Sequence, residues 1–294
     1  MRIRVKDLGY VYDHGTPMAA QALSGIDWEV RPGEFWVVSG PSGSGKTTLS
    51  LLLAGLLPPT SGSLQVDGVE ISGRGSVAEG VRRRIGVVFQ FPEHQLFAGS
   101  VMEDVVFGPR SHGLPARESE ARAEEALRMV GLDPSAVGPR IPRELSGGQR
   151  RLAAVAGILA LRPSLLILDE PTAGLDHPAR VRLLEILAGL HREGITIVAV
   201  SHRIGDFLSL ADGFLCLEKG RIFASGDSRQ VVPALAVTPG WRDGLPDVVR
   251  LMLSLEERGF GVGDGVWAPE GNGVWTPEEA AERILTALGG RSSP

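Results

Sequence analysis

The sequence predicts an α/β protein with a mostly parallel sheet core and an antiparallel β part near its start. Short apolar strand-like runs recur along the chain, and helical patterns fall between the later ones. A glycine-rich turn also joins a strand to a helix at residues 40–48, GPSGSGKTT. In such a layer ligands belong at the carboxyl ends of the strands.

Residues 1–12, MRIRVKDLGYVY, alternate apolar and charged side chains like an edge strand. They lack the apolar centre of a secretory leader, so the expectation is a cytoplasmic protein. Strand-like segments follow at 26–30, 35–39, 63–66, 85–89, 165–168, 196–201, 213–218 and 221–225, after a first one at 3–5. Helical patterns cover 47–55, 116–130, 147–161 and 178–193. The most apolar stretch, 49–57, is about half the roughly 20 residues that span a bilayer. Any membrane association must therefore come through a partner.

Composition narrows the classes. A chain of 294 residues with 43% hydrophobic content buries a large core, and a formal net charge of −5 argues against a broad nucleic-acid footprint. The single cysteine, Cys216, lies in an apolar run and reads as a buried, inert thiol.

The turn after 35–39 reads G-x-x-x-x-G-K-T from Gly40 to Thr47, with a buried strand entering and a helix leaving. Gly43 and Gly45 let the backbone curl with its N–H groups inward, and the helix adds the positive end of its dipole, so Gly40, Ser42, Gly43, Gly45 and Thr48 frame a polyphosphate cradle. Lys46 reaches the terminal phosphates, and Thr47 offers its hydroxyl to Mg²⁺. Only three of the 30 basic residues are lysines: Lys6, Lys46 and Lys219. Lysine at 46 is thus a departure from the chain's habit, and a compact ammonium suits a phosphate cradle.

A cradle of this kind needs a carboxylate at a neighbouring strand end. The run SLLILDE at 164–170 supplies Asp169 as a water-mediated Mg²⁺ partner and Glu170 to polarise the water that attacks the γ-phosphate. Upstream, LSGGQRR at 145–151 opens a helix with Ser146, Gly147, Gly148 and Gln149, a second phosphate grip.

Two separate phosphate grips, with LSGGQ placed just before the carboxylate strand, resemble the ATP-binding-cassette (ABC) ATPases over about residues 1–225. The resemblance implies a P-loop NTPase of ABC type with a helical signature subdomain and with ATP and Mg²⁺ as cofactors. It makes Gln90 the Q-loop glutamine and a metal ligand, Asp176 the D-loop aspartate and His202 the switch histidine. Tyr12 falls where the family stacks an aromatic ring on adenine, with Tyr10 as the other choice. Ser146 and its neighbours then grip a nucleotide bound by a second ABC ATPase.

Residues 87–114, LSGGQRRLAAVAGILA and DEPTAGLD resemble more narrowly the A components of energy-coupling-factor (ECF) transporters, which import vitamins or transition-metal ions. That resemblance implies a transmembrane T component docking near Gln90, a substrate-binding S component, and a peripheral place on the cytoplasmic membrane face. An ABC importer ATPase for amino acids or metals is the alternative, and a DNA-maintenance cassette a remote one, since Lys46 and Leu145 are not separated by long coiled coils. Neither the cargo nor the choice between homodimer and heterodimer is written in this chain. His177 precedes Pro178 where the family commonly has proline directly after the aspartate, which predicts a helix starting one residue later.

After residue 226 the crowding of Pro233, Pro239, Gly240, Gly244 and Pro246 reads as a linker. Pro246 then opens an amphipathic helix with Val248, Val249, Leu251, Met252 and Leu255 on its apolar face and Gly259 as its stop. A last helix is capped by Thr276 with Pro277 and Glu279, behind a tandem repeat (263–270, 271–278) whose Trp267 and Trp275 read as packing residues. The domain expectation is a nucleotide-binding domain over 1–225 and a small, mainly helical C-terminal domain over 226–294, whose segment LPDVVRLMLSLEERG resembles the C-terminal extension of the ECF A components and so implies a role in dimerisation.

Overall fold

The computed structural model describes residues 1–72 and 75–258. Gly259, the tandem repeat and the helix expected after Thr276 lie outside the described residues.

The chain opens with β1 (Ile3–Tyr12) and β2 (Ala20–Val30), then β3 (Phe35–Ser39), α1 (Lys46–Leu53), β4 (Ser61–Val66) and β5 (Val69–Glu70). It continues through α2 (Ser76–Arg82), β6 (Ile85–Val88), α3 (Val101–Ser111), α4 (Ala116–Met129), the single turn α5 (Pro134–Val137) and α6 (Gly147–Leu159). The second half holds β7 (Leu165–Asp169), α7 (His177–Arg192), β8 (Thr196–Val200), β9 (Gly213–Glu218), β10 (Arg221–Gly226), α8 (Ser228–Ala236) and α9 (Asp247–Glu257).

Two sheets result. One is antiparallel with strand order β2-β1-β4-β5, and the other runs β10-β9-β3-β8-β7-β6, parallel except for the β9–β10 hairpin. The first strand is therefore not an edge strand, as its alternation suggests. β1 pairs with β2 on one side and β4 on the other, and its exposed charges belong to a sheet with one solvated face.

The parallel strands read as unbroken apolar runs because both of their faces are covered. Leu166 and Leu168 of β7, Ile197 and Ala199 of β8, and Phe214 and Cys216 of β9 enter one core with α3, α4, α6 and α7. Their neighbours Leu165, Ile167, Val198, Val200, Leu215 and Leu217 enter a second core with α1 and the antiparallel sheet. The parallel sheet is thus the middle layer. Burial pushes the Cys216 thiol up to about 12, which keeps it protonated.

The stretch read as a linker is structured. Asp227 caps α8 through a capping box with Gln230, and Val231, Val232, Leu235 and Ala236 are buried in the core that holds β9. Pro233 sits inside this short helix without ending it, because the apolar face it belongs to is held by packing. Trp241, Leu245, Val249 and Met252 are buried too, while Leu251, expected on the inner face of α9, is exposed. α3 was equally hidden from periodicity by Gly108 and Pro109 inside it.

Candidate functional site

Strand order fixes where the chemistry meets. β3, β8, β7 and β6 are consecutive neighbours, all parallel, and the pairs Val38–Val200, Asp169–Val200 and Val88–Leu168 bring their carboxyl ends level. The loops leaving those ends carry the phosphate loop, His202, Glu170 and Gln90 in that order along one edge. They open into a cleft of about 540 Å³ lined by Tyr12, Ser42 to Thr48, Gln90, Asp169, Glu170, Ala173 and His202 among others.

The loop itself is shaped by two glycines. Gly43 has φ 77° and Gly45 φ 101°, left-handed values that side chains rarely adopt. A Cβ on Gly45 would also lie 2.6 Å from the Ala22 carbonyl oxygen and from Leu23 Cδ2. Lys46 begins α1, and its Nζ donates to the Gly40 and Pro41 carbonyls at 2.7 and 2.9 Å, which folds the ammonium back over the loop. Gly40 thus serves as an acceptor behind the cradle. Thr47 is exposed, Thr48 is buried, and the hydroxyls of Thr48 and Tyr12 are 3.1 Å apart. Tyr12 lines the cleft, whereas Tyr10 meets it edge-on with ring centroids 4.8 Å apart and packs toward the core.

The acidic end is electrostatically tense. Asp169 is buried, and desolvation together with the adjacent Glu170 raises its pKa, opposed by Lys46. Burial lowers the pKa of Lys46, opposed by Glu170 and Asp169. Glu170 has φ 47°, an uncommon conformation for a side-chain-bearing residue. Its N–H donates to the Val200 carbonyl at 2.8 Å. Its carboxylate accepts from the His202 backbone N–H at 3.1 Å and faces His202 Nδ1 at 2.9 Å, so the histidine and the acid hold one another.

The second glycine-led helix lies elsewhere. Ser146 caps α6 and forms a capping box with Gln149, whose N–H donates to Ser146 Oγ at 3.2 Å while Gln149 Oε1 accepts from the Ser146 N–H at 3.1 Å. Gly148 faces α7, where a methyl added to it would touch Ala179 at 3.6 Å. Asp176 is the cap of α7 and accepts from the Ala179 N–H at 2.9 Å. The helix starts at His177, directly after the aspartate and not one residue later, because Pro178 is accommodated in the first turn, where its missing N–H has no partner to lose. Ser146, Gly147, Gly148, Gln149 and Asp176 do not line the cleft that holds Lys46.

Sequence reasoning left one residue without a role. Arg151 is only 4% exposed, and it donates to the Glu170 and Ala173 carbonyls at 2.8 and 2.6 Å. The signal was available: Arg151, Val155 and Leu159 repeat at helical spacing, which puts an arginine on the buried face of α6.

A phosphate loop, a strand-end carboxylate pair and a separate serine-capped glycine helix on this layered frame define an ATP-binding cassette. The family model described as ABC transporter matches residues 23–173. The chain is 43% identical over 291 residues to an energy-coupling factor transporter ATP-binding protein EcfA2 of Symbiobacterium thermophilum, covering 99% of this chain and 98% of that protein. To the protein of the same name from Streptococcus sanguinis it is 42% identical over 262 residues, covering 88% and 94%. Among solved structures, cbiO1 from Clostridium perfringens, part of the ABC transporter complex cbiONQ, superposes with TM-score 0.69 at 33% identity over 82% of this chain and 96% of that one. An ATP-binding cassette solved as a dimer in a post-hydrolysis state with ADP and Pi gives TM-score 0.69 at 28% identity, covering 76% and 98%. The chain belongs to the ABC transporter family and, within it, groups with the ATP-binding proteins of energy-coupling factor transporters.

Proposed function

We propose that this chain is the ATP-hydrolysing subunit of an ECF-type importer, working on the cytoplasmic face of the membrane with a second cassette, a transmembrane T component and a substrate-binding S component. The observation that carries the reading is the strand-edge cleft, where Lys46, Asp169, Glu170, Gln90 and His202 meet at a glycine-rich loop. The relatives named for energy-coupling factor transporters support the ECF assignment; the cargo proposed with it is a vitamin or transition-metal ion, as the family resemblance implies. Among the described residues no helix is long and apolar enough to cross a membrane, which is consistent with a subunit that reaches the bilayer through others.

In this reading the backbone N–H groups from Ser42 to Thr48 and the start of α1 bind the phosphates with Gly40 shaping the loop behind them, Ser42 and Thr48 line their approach, and Tyr12 stacks on adenine. Thr47, Gln90 and Asp169 are the residues that would hold Mg²⁺, which neutralises phosphate charge when bound. A hard cation fits them, since all three offer oxygen donors to the cleft and Asp169 is a buried carboxylate crowded by a second one. Glu170 orients and polarises the attacking water, and His202 fixes its carboxylate. Ser146, Gly147, Gly148 and Gln149, with Asp176 beside them, face the nucleotide of the second cassette. The unit 226–294 helps to hold the two cassettes together.

The membrane partner docks beside Gln90. Phe97 is 69% exposed and meets Phe107 edge-on at 5.1 Å, an apolar surface on the same flank. Affinity purification from membranes is expected to bring down a membrane-spanning chain with ATP-hydrolysing activity, and Phe97→Glu is expected to weaken that assembly while leaving ATP affinity within about twofold. Purification with soluble partners alone would refute the transporter reading.

A further inference from the structure

Arg151 joins three segments that the proposed mechanism treats separately. It lies one turn into α6, the helix whose start presents Ser146 and Gly147. Its guanidinium fork bridges the carbonyls of Glu170 and Ala173, the turn that carries the water-polarising carboxylate. Burial lowers the pKa of its guanidinium, opposed first by Glu93 and then by Glu170. Glu93 stands in the short turn Pro92–Gln95 after Gln90, with a buried carboxylate oxygen that has no hydrogen-bond partner.

The Glu170 turn needs such a hold. A left-handed conformation costs a non-glycine residue about 1–2 kcal/mol, and it persists only where surrounding bonds over-determine it. Here the N–H of Glu170 is tied to β8 through Val200, and its carbonyl to α6 through Arg151. The guanidinium takes the Ala173 and Glu170 carbonyls with two separate nitrogens held in one rigid plane, a spacing that the single Nζ of a lysine does not reproduce at this position.

We propose that Arg151 is a positioning residue that fastens the Glu170 turn to α6, so that the grip of α6 on a second cassette's nucleotide moves the water-polarising carboxylate of its own cassette. The inference rests on the ATPase reading given above. It makes the two nucleotide sites of a cassette pair mechanically dependent, with Arg151 as the link.

The test uses the complex assembled with its membrane partners and two variants. Arg151→Lys keeps the charge facing Glu93 but loses the fork, and Arg151→Met keeps much of the volume without charge. Arg151→Lys is expected to lower kcat about tenfold while KM, ATP affinity and melting temperature hold, the pattern of an interaction made only in the transition state. In a Glu170→Gln background the same change is expected to cost nothing further, because it acts through that carboxylate. Arg151→Met is expected to reproduce the loss and to lower the melting temperature as well. Wild-type kcat in Arg151→Lys, parallel loss of kcat and ATP affinity, or an additive loss in the Glu170→Gln background would each overturn the inference. Lys46→Ala separates the two levels: wild-type turnover without Lys46 removes this cleft as the place where ATP reacts, whereas an inactive Lys46→Ala beside a normal Arg151→Lys removes only this link.

Discussion

In the proposed reading the strand edge and the start of α6 both meet phosphate, yet they are finished to different degrees. At the edge, parallel strands in fixed register bring a lysine, two acids, a glutamine and a histidine into one cleft, where Glu170 and His202 already hold each other and Lys46 is folded onto the Gly40 carbonyl. At the α6 start, Ser146 and Gln149 satisfy each other and Asp176 satisfies α7, so that end is a stable cap that reaches nothing in the cleft. The difference teaches that the edge carries its chemistry within one chain, while the α6 start acts only against something brought to it. That asymmetry supports the reading of two chains sharing each site.

The largest expected effect breaks the edge. Lys46→Ala removes the counter-charge of the terminal phosphates, and hydrolysis is expected to fall by about 10³-fold or more together with nucleotide affinity. Steady-state turnover and a fluorescent-nucleotide titration of the assembled complex measure both. Wild-type turnover would mean that the cleft is not where ATP reacts.

The next effect separates the two regions. Glu170→Gln is expected to keep ATP bound and to lower hydrolysis by about 10²-fold, because the amide cannot polarise water. The complex then closes around ATP, which cross-linking or scattering detects. Adding Ser146→Arg is expected to prevent closure without changing nucleotide binding at the edge. Equal closure with and without that arginine would show that the α6 start is only a helix cap.

Much of the edge was legible because each part has a local cause. Gly43, Gly45 and Lys46 follow an apolar strand, and Asp169 and Glu170 end one, so order along the chain already implied nearness in space. The burial of Arg151 was legible from its spacing with Val155 and Leu159, but its role was not, because its partners are main-chain carbonyls that side-chain patterns do not record. α8 escaped because Pro233 and the glycines after it signal a break that packing under β9 overrides. The β1 charges were visible, but whether a half-polar strand lies at an edge or inside a one-faced sheet depends on β2 and β4, which periodicity does not see.

The smallest effects are thermal and opposite in sign at the two regions. Asp169 has a raised pKa in the folded chain, with desolvation as the first cause and Glu170 as the second, so the fold prefers its protonated form. Its contribution to stability is therefore present at low pH, and it is lost as pH rises from the ordinary value of 3.8 through the raised one. At neutral pH the nucleotide-free protein carries that cost in full, and Asp169→Asn removes it. The variant is expected to melt about 2–4 °C higher at pH 7, the shift that ~1 kcal/mol gives in a chain of this size, with the gain shrinking as the pH falls through the raised pKa toward 3.8. The same variant is expected to lose the extra stabilisation that Mg²⁺ with ATP gives, since a neutral amide is a poor partner for a hard cation. Ser146→Ala at the other region removes an uncharged cap worth about 1 kcal/mol, and is expected to melt about 2–4 °C lower by the same amount at every pH. Scanning fluorimetry from pH 4 to 8, with and without Mg²⁺ and ATP, reads all of these shifts. An Asp169→Asn protein that melts lower than the parent at pH 7 would mean that Lys46 already balances the buried carboxylate, and that the edge is poised without any cation.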